Sequence, residues 1–95
     1  MPAATFSVAI PTPLRSYTGG AAKVDVRVAA PQPTLADLLA ALDVAYPGIR
    51  FRMIDEAGRV RPHVQVFVNT SIARDPAAVL APGAQIMFVG ALSGG

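Results

Sequence analysis

Apolar and polar residues alternate along three stretches of the chain and follow a helical period along a fourth. In Thr5-Phe6-Ser7-Val8-Ala9-Ile10, the residues Phe6, Val8 and Ile10 fall on one side and Thr5, Ser7 and Ala9 on the other. Successive side chains of a strand point to opposite faces, so this period predicts a half-buried strand. Lys23 to Val28 repeats it more cleanly. Val24, Val26 and Val28 face a core while Lys23, Asp25 and Arg27 face water. The loop between them is bracketed by Pro11, Pro13 and Gly19-Gly20, so the two strands are expected to form an antiparallel hairpin. A third alternation places Val64, Val66 and Val68 opposite Gln65 and Phe67. Near the end of the chain, Ile86 and Phe88 share one face of a last strand, and Met87 and Val89 take the other.

Between the second and third alternations the period changes. Leu35, Leu38, Leu39 and Leu42 make one apolar stripe at helical spacing. Thr34 is a good N-cap, and Asp37 three residues on completes a capping-box pattern. Pro47-Gly48 stops the helix, which is expected from Leu35 to Tyr46. Phe51 to Pro62 is expected to hold a short strand and a turn at Glu56-Ala57-Gly58. Asp75-Pro76 is expected to start a short helical turn that ends at Pro82-Gly83. Two strands, a helix and then further strands predict an α+β fold, with one main helix packed on one face of a mixed sheet. The pattern divides the chain into one domain, residues 1–89, and a flexible C-terminal tail, residues 90–95.

Composition narrows the function. The chain has 95 residues, 53% of them hydrophobic and 15% charged, which suits a single domain with a real core. No apolar run approaches the length of a membrane span, and the N-terminus lacks the cationic start of a signal peptide. A cytoplasmic protein with no membrane partner is the expectation. Eight Lys and Arg against six Asp and Glu leave a net charge of +2. Arg50, Arg52, Arg59 and Arg61 are the one basic concentration, with Phe51 the single aromatic among them. A nucleic-acid surface wants a denser stripe with stacking aromatics, so these arginines read as a solvated loop face and no nucleic-acid partner is expected.

Enzyme chemistry finds little purchase. With no cysteine, thiolate metal sites and cysteine nucleophiles are excluded. His63 is the lone histidine and holds no metal by itself. Asp37 and Asp43 read as a cap and a solvated charge, and no serine stands in a nucleophile elbow. The expectation is a protein that is not an enzyme, binds no metal and no cofactor, and acts as a binding module or as the substrate of others.

The end of the chain, Gly90-Ala91-Leu92-Ser93-Gly94-Gly95, fits the second role. A terminal carboxylate is a poor electrophile until it is adenylated. A stretch without bulky side chains can thread a narrow, water-excluding channel to reach the activating site. Six extended residues span ~20 Å, enough to carry a carboxylate from a docked domain into a buried site.

The order of elements together with "ALSGG" resembles the ThiS/MoaD group of ubiquitin-like sulfur carriers, across essentially the whole chain. "IPTPLRSYTGG" further resembles the carriers that serve cysteine biosynthesis, and "FVN" before the second hairpin turn also fits. One departure is Thr70-Ser71 after Asn69, where the family often has Asn-Gly. The resemblance implies a β-grasp (ubiquitin-like) fold. It implies that an E1-like adenylyltransferase, using ATP, activates the carboxylate of Gly95, that a sulfur donor converts it to a thiocarboxylate, and that the sulfide passes to an acceptor enzyme such as a cysteine synthase. Gly95 would then carry the sulfur, Gly94 would be the second glycine of the motif, and Leu92 and Ser93 would line the partner's channel. Carriers of molybdopterin or thiamin synthesis, and ubiquitin-like modifiers conjugated to lysines, share the same tail chemistry and stay open at this point.

A docking face follows from the alternation itself. If Val64, Val66 and Val68 face the helix, then Phe67 faces away from it, and Met87 and Val89 join it on the open side of the sheet. An apolar cluster there is expected to be a partner surface. A register shifted by one residue would instead put these side chains in the core.

Overall fold

The computed structural model describes residues 3–90. Five strands form one mixed sheet in the order β2-β1-β5-β3-β4. They are β1 (Ala4–Ala9), β2 (Lys23–Val28), β3 (Val64–Val68), β4 (Ser71–Ala73) and β5 (Gln85–Gly90). β1 and β2 pair antiparallel, β1 and β5 parallel, and β3 pairs antiparallel with both β4 and β5. Helix α1 (Leu35–Ala45) covers one face, and this is the β-grasp arrangement.

The core is the meeting of the two periodicities read from the chain. Leu35, Leu38, Leu39 and Leu42 are fully buried against Phe6, Val8, Val26, Val66, Ile86 and Phe88. Burying one such side chain is worth about 2 kcal/mol, so the stripe alone anchors the helix to the sheet. The register expected from the alternation is the observed one, since the valines of β2 and the first two of β3 all lie inward.

The helix starts as its sequence demands. Thr34 Oγ1 accepts from the Asp37 backbone N–H at 3.1 Å, and the Thr34 N–H donates to Asp37 Oδ2 at 3.0 Å. It ends one residue earlier than expected, with Tyr46 as its C-cap. Gly48 then takes φ +96, and a Cβ at this position would meet the Tyr17 ring at 3.2 Å. Both features favour glycine there, where the chain turns past the loop that follows β1.

Two local expectations are corrected, and one strand was not anticipated. The short strand anticipated within Phe51 to Pro62 is instead a helical turn, α2 (Arg50–Met53), followed by a single bridge between Ile54 and Val60. Ile49 and Met53, four apart, are both buried, so helical spacing serves the core better than strand spacing here. The turn itself is present, with the Gly58 N–H donating to Asp55 O. The turn expected at Asp75-Pro76 is present, with the Ala78 N–H donating to Asp75 O at 3.0 Å, but it does not continue as a helix to Pro82-Gly83. Its carbonyls at Pro76 and Ala78 accept from Ala36 and Leu35, which satisfies two of the free N–H groups at the start of α1. Finally, Ser71–Ala73 forms the edge strand β4, which is too short to show a period.

Gly90, which the alternation assigns to the tail, is the last residue of β5 and pairs with Val64. In the β3–β4 turn, Asn69 alone of the two central residues takes positive φ, at 57°, so the turn is not of the Asn-Gly type with two left-handed residues. Among the described residues, no helix is long and apolar enough to cross a membrane, and no group of His, Asp or Glu could hold a metal.

Candidate functional site

The face of the sheet away from α1 has no covering element among the described residues. Register sets what it displays. Ile72 stands opposite Phe67, Phe67 opposite Met87, Met87 beside Ala9, and Ala9 opposite Lys23. One row therefore crosses all five strands, apolar for four positions and closed by a cation. Val89 extends the apolar surface two residues further along β5, where it faces Gln65.

Exposure agrees with this geometry. Met87 and Val89 are each 46% exposed and Ile72 is 58% exposed, while Phe67 is half-buried between its two strand neighbours. Pleat alternation produces the surface directly, because every inward residue in β3 and β5 sends its neighbour outward. Phe67, Met87 and Val89 are thus brought together as expected. Ile72 completes the row and was not anticipated. Its only sequence signal is an isolated isoleucine two residues past a turn, which pairs with Phe67 once β4 forms.

β5 links this face to the end of the chain. Parallel pairing with β1 stops at Ala9 and Met87, because the chain leaves the sheet at Ile10-Pro11. Phe88, Val89 and Gly90 run on past it. An open groove lies beside them, walled by Pro11, Thr12, Pro13 and Arg15. Arg15 Nε donates to Ile10 O at 3.0 Å, which fixes the side chain at the groove's edge. On the other side of β5, Gly90 pairs with Val64. The predicted sulfur-carrying Gly95 and Gly94, and the channel residues Leu92 and Ser93, lie outside the described residues.

The four clustered arginines largely serve local structure. Arg61 Nε donates to Phe51 O at 2.8 Å, and the Arg50 guanidinium lies 4.8 Å from the Phe51 ring centre. Arg59 pairs with Asp55 at 3.3 Å, and the Arg50 backbone N–H is held by Asp43 Oδ1. Asp43 is therefore a cap for α2 rather than a merely solvated charge. His63 is exposed at the start of β3.

A model of the ThiS family matches residues 8–95. The chain belongs to the ThiS family. It is 32% identical over 94 residues to the sulfur carrier protein CysO of Mycobacterium tuberculosis, which covers 94% of this chain and 97% of that one. The crystal structure of Mycobacterium tuberculosis CysO superposes with a TM-score of 0.77 at 29% identity, over 92% of this chain and 99% of that one. A chain of the Amycolatopsis orientalis BexX/CysO complex is similar too, with a TM-score of 0.80 at 25% identity, over 95% and 99% of the two chains. These similarities support a sulfur-carrier role for this ThiS-family chain. The last of them also shows a similar protein in complex with a second one.

Proposed function

We propose that this protein carries sulfur as a thiocarboxylate on the carboxyl of Gly95. An E1-like adenylyltransferase docks on the open face of the sheet and transfers AMP from ATP to the carboxylate, releasing pyrophosphate. Hydrosulfide released by a donor then attacks the acyl carbon, the bond from that carbon to AMP breaks, AMP leaves with one carboxyl oxygen, and a thiocarboxylate remains. At an acceptor enzyme the sulfur is passed on, water attacks the acyl carbon as the carbon–sulfur bond breaks, and the carboxylate is restored. The carrier itself supplies no catalytic group, only a surface and a chain end. Cysteine synthesis is the favoured destination, because "IPTPLRSYTGG" resembles the carriers that serve it and the relative at 32% identity is the sulfur carrier protein CysO.

The observation that carries this reading is the position of β5. The same strand contributes Met87 and Val89 to the apolar row and runs into Ala91 to Gly95. A partner seated on the row is therefore placed at the root of the tail. Five extended residues beyond Gly90 span about 17 Å, so a docked partner can hold the reacting carboxyl well inside itself.

The test is intact mass after incubation with ATP, the adenylyltransferase and a sulfur source. Replacement of one oxygen by sulfur is expected for the full chain and not for a variant lacking Gly95. Removing one residue pulls the reacting carbon back by ~3.3 Å, and misplacement of even ~1 Å can cost a hundredfold in rate. The melting temperature should not fall, since Gly95 lies beyond the last strand. A deletion variant that gains sulfur at the native rate, or lysine conjugates in place of the thiocarboxylate, overturns the proposal.

A further inference from the structure

The two edges of the sheet are not alike. β4 spans three residues, whereas β2 presents six, Lys23 to Val28, at the other edge. The Ile10 N–H donates to Ala22 O at 2.8 Å, one step beyond the pairing of Ala9 with Lys23. Bonded and non-bonded pairs alternate along an antiparallel ladder, so Val24, Val26 and Val28 turn their backbone groups towards β1. Lys23, Asp25 and Arg27 turn theirs outward, to the edge. Among the described residues, these outward groups donate and accept no hydrogen bond, and neither Lys23, Asp25 nor Arg27 forms an ion pair. A row of free N–H and C=O groups is a template for another strand.

The side chains of β2 select the strand that fits. Lys23, Asp25 and Arg27 are exposed on the open face, while the three valines are buried in the core. Edge charges block pairing when like charges come to stand opposite each other. Here the signs alternate, and the strand is complementary to its own reverse. With two copies set antiparallel about a two-fold axis through Val26, Asp25 of each stands opposite Arg27 of the other, and Val24 opposite Val28. The backbone agrees, because Asp25 and Arg27 are the residues whose N–H and C=O groups face the edge and can exchange both bonds. An axis through Asp25 instead sets that carboxylate against its own copy and Lys23 against Arg27. An axis through Arg27 opposes two guanidinium groups. An axis through Val24 pairs Lys23 with Asp25 but carries Arg27 past the end of the second β2.

We propose that β2 is a self-association edge, on which a second copy of this chain pairs antiparallel about Val26 and joins two five-stranded sheets into one. The inference does not depend on the carrier reading. β2 lies on the far side of β1 from β5, so pairing there leaves Phe67, Met87 and Val89 uncovered and the end of β5 free. Each chain of the pair keeps its own docking face.

Sedimentation equilibrium of the full chain alone, over a range of concentrations, tests this with wild type, Asp25→Arg, Arg27→Asp and the double variant carrying both changes. Both positions are exposed, and a melting curve checks that each variant is folded. Wild type is expected to pass from monomer to dimer as concentration rises. Each single variant sets like charges opposite each other at two cross-strand sites, and its dimer should dissociate at least about tenfold more readily. The double variant restores opposite signs and should dimerise as wild type does. An equal mixture of the two single variants should also dimerise, because one chain then carries only cations at these sites and the other only carboxylates. A wild type that stays monomeric overturns the proposal. So do single variants that dimerise as tightly as wild type, or a mixture of them that stays monomeric. A dimer lost in Met87→Asp but kept in the single variants places the contact on the apolar row and overturns it as well. None of these measurements uses the adenylyltransferase, so failure here leaves the carrier reading standing, and failure of the carrier reading leaves the edge.

Discussion

Phe67 on β3 stands directly opposite Met87 on β5, and the pair faces away from the helix. Opposed side chains on one sheet face are close neighbours, so the two form a continuous apolar surface. Neither is needed to close the core. Phe67→Ala and Met87→Asp are therefore expected to leave the melting temperature nearly unchanged and to weaken adenylyltransferase binding by more than ~1 kcal/mol, as loss of an interface anchor does. Calorimetric titration beside a melting curve checks this. Normal binding, or unfolding, would place these side chains outside the docking surface. Ile72, beside Phe67 and 58% exposed, should behave the same way when changed to Asp.

Thr34 and Asp37 bond reciprocally at the start of α1. Loss of an N-cap hydroxyl costs ~1 kcal/mol. Thr34→Ala should lower stability by that amount, which is roughly 4–8 °C in melting temperature for a domain of this size. Thr34→Ser should recover most of it. Chemical denaturation of the three proteins provides the comparison, and an unaffected Ala variant would mean that the bridge from Thr34 to Val79 alone holds the helix start.

Asn69 combines a left-handed backbone with two bonds to Gln85. Its N–H donates to Gln85 O at 2.7 Å, and its Oδ1 accepts from Gln85 N–H at 3.0 Å. Asn69→Gly keeps the backbone conformation and loses the side-chain bond. Asn69→Ala loses both, and a non-glycine residue at positive φ costs ~1–2 kcal/mol. Ala is therefore expected to be the more destabilising change, read as the difference in urea midpoint. Equal losses would show that the side-chain bond carries the effect.

Asp55 holds its hairpin through charge. The Arg59 backbone N–H, then the Ala57 N–H and the Arg59 guanidinium, keep its carboxyl below the ordinary value of 3.8. A depressed carboxylate pKa stabilises the fold above the unfolded value, and the contribution is lost as pH falls through the folded one. Asp55→Asn should therefore be less stable than wild type at neutral pH, with the difference shrinking below about pH 4. Denaturation midpoints across that range check the sign. A difference that grows on acidification would contradict it.

Several features of this protein were set by local sequence. The capped leucine stripe, the inward valines and the outward Phe67, Met87 and Val89 follow from period alone, because pleat and helix turn fix where each side chain points once a core face is chosen. The resemblance of the tail to a carrier terminus was equally legible. Other features depended on contacts between distant segments. Arg50 to Met53 became helical because Ile49 and Met53, four apart, had to reach the same core. Residues 75–78 made one turn and went no further into a helix, because the free N–H groups of α1 needed the carbonyls of Pro76 and Ala78 as acceptors. Ile72 gained its place only when β4 paired with β3, and three residues carry too short a period to announce a strand.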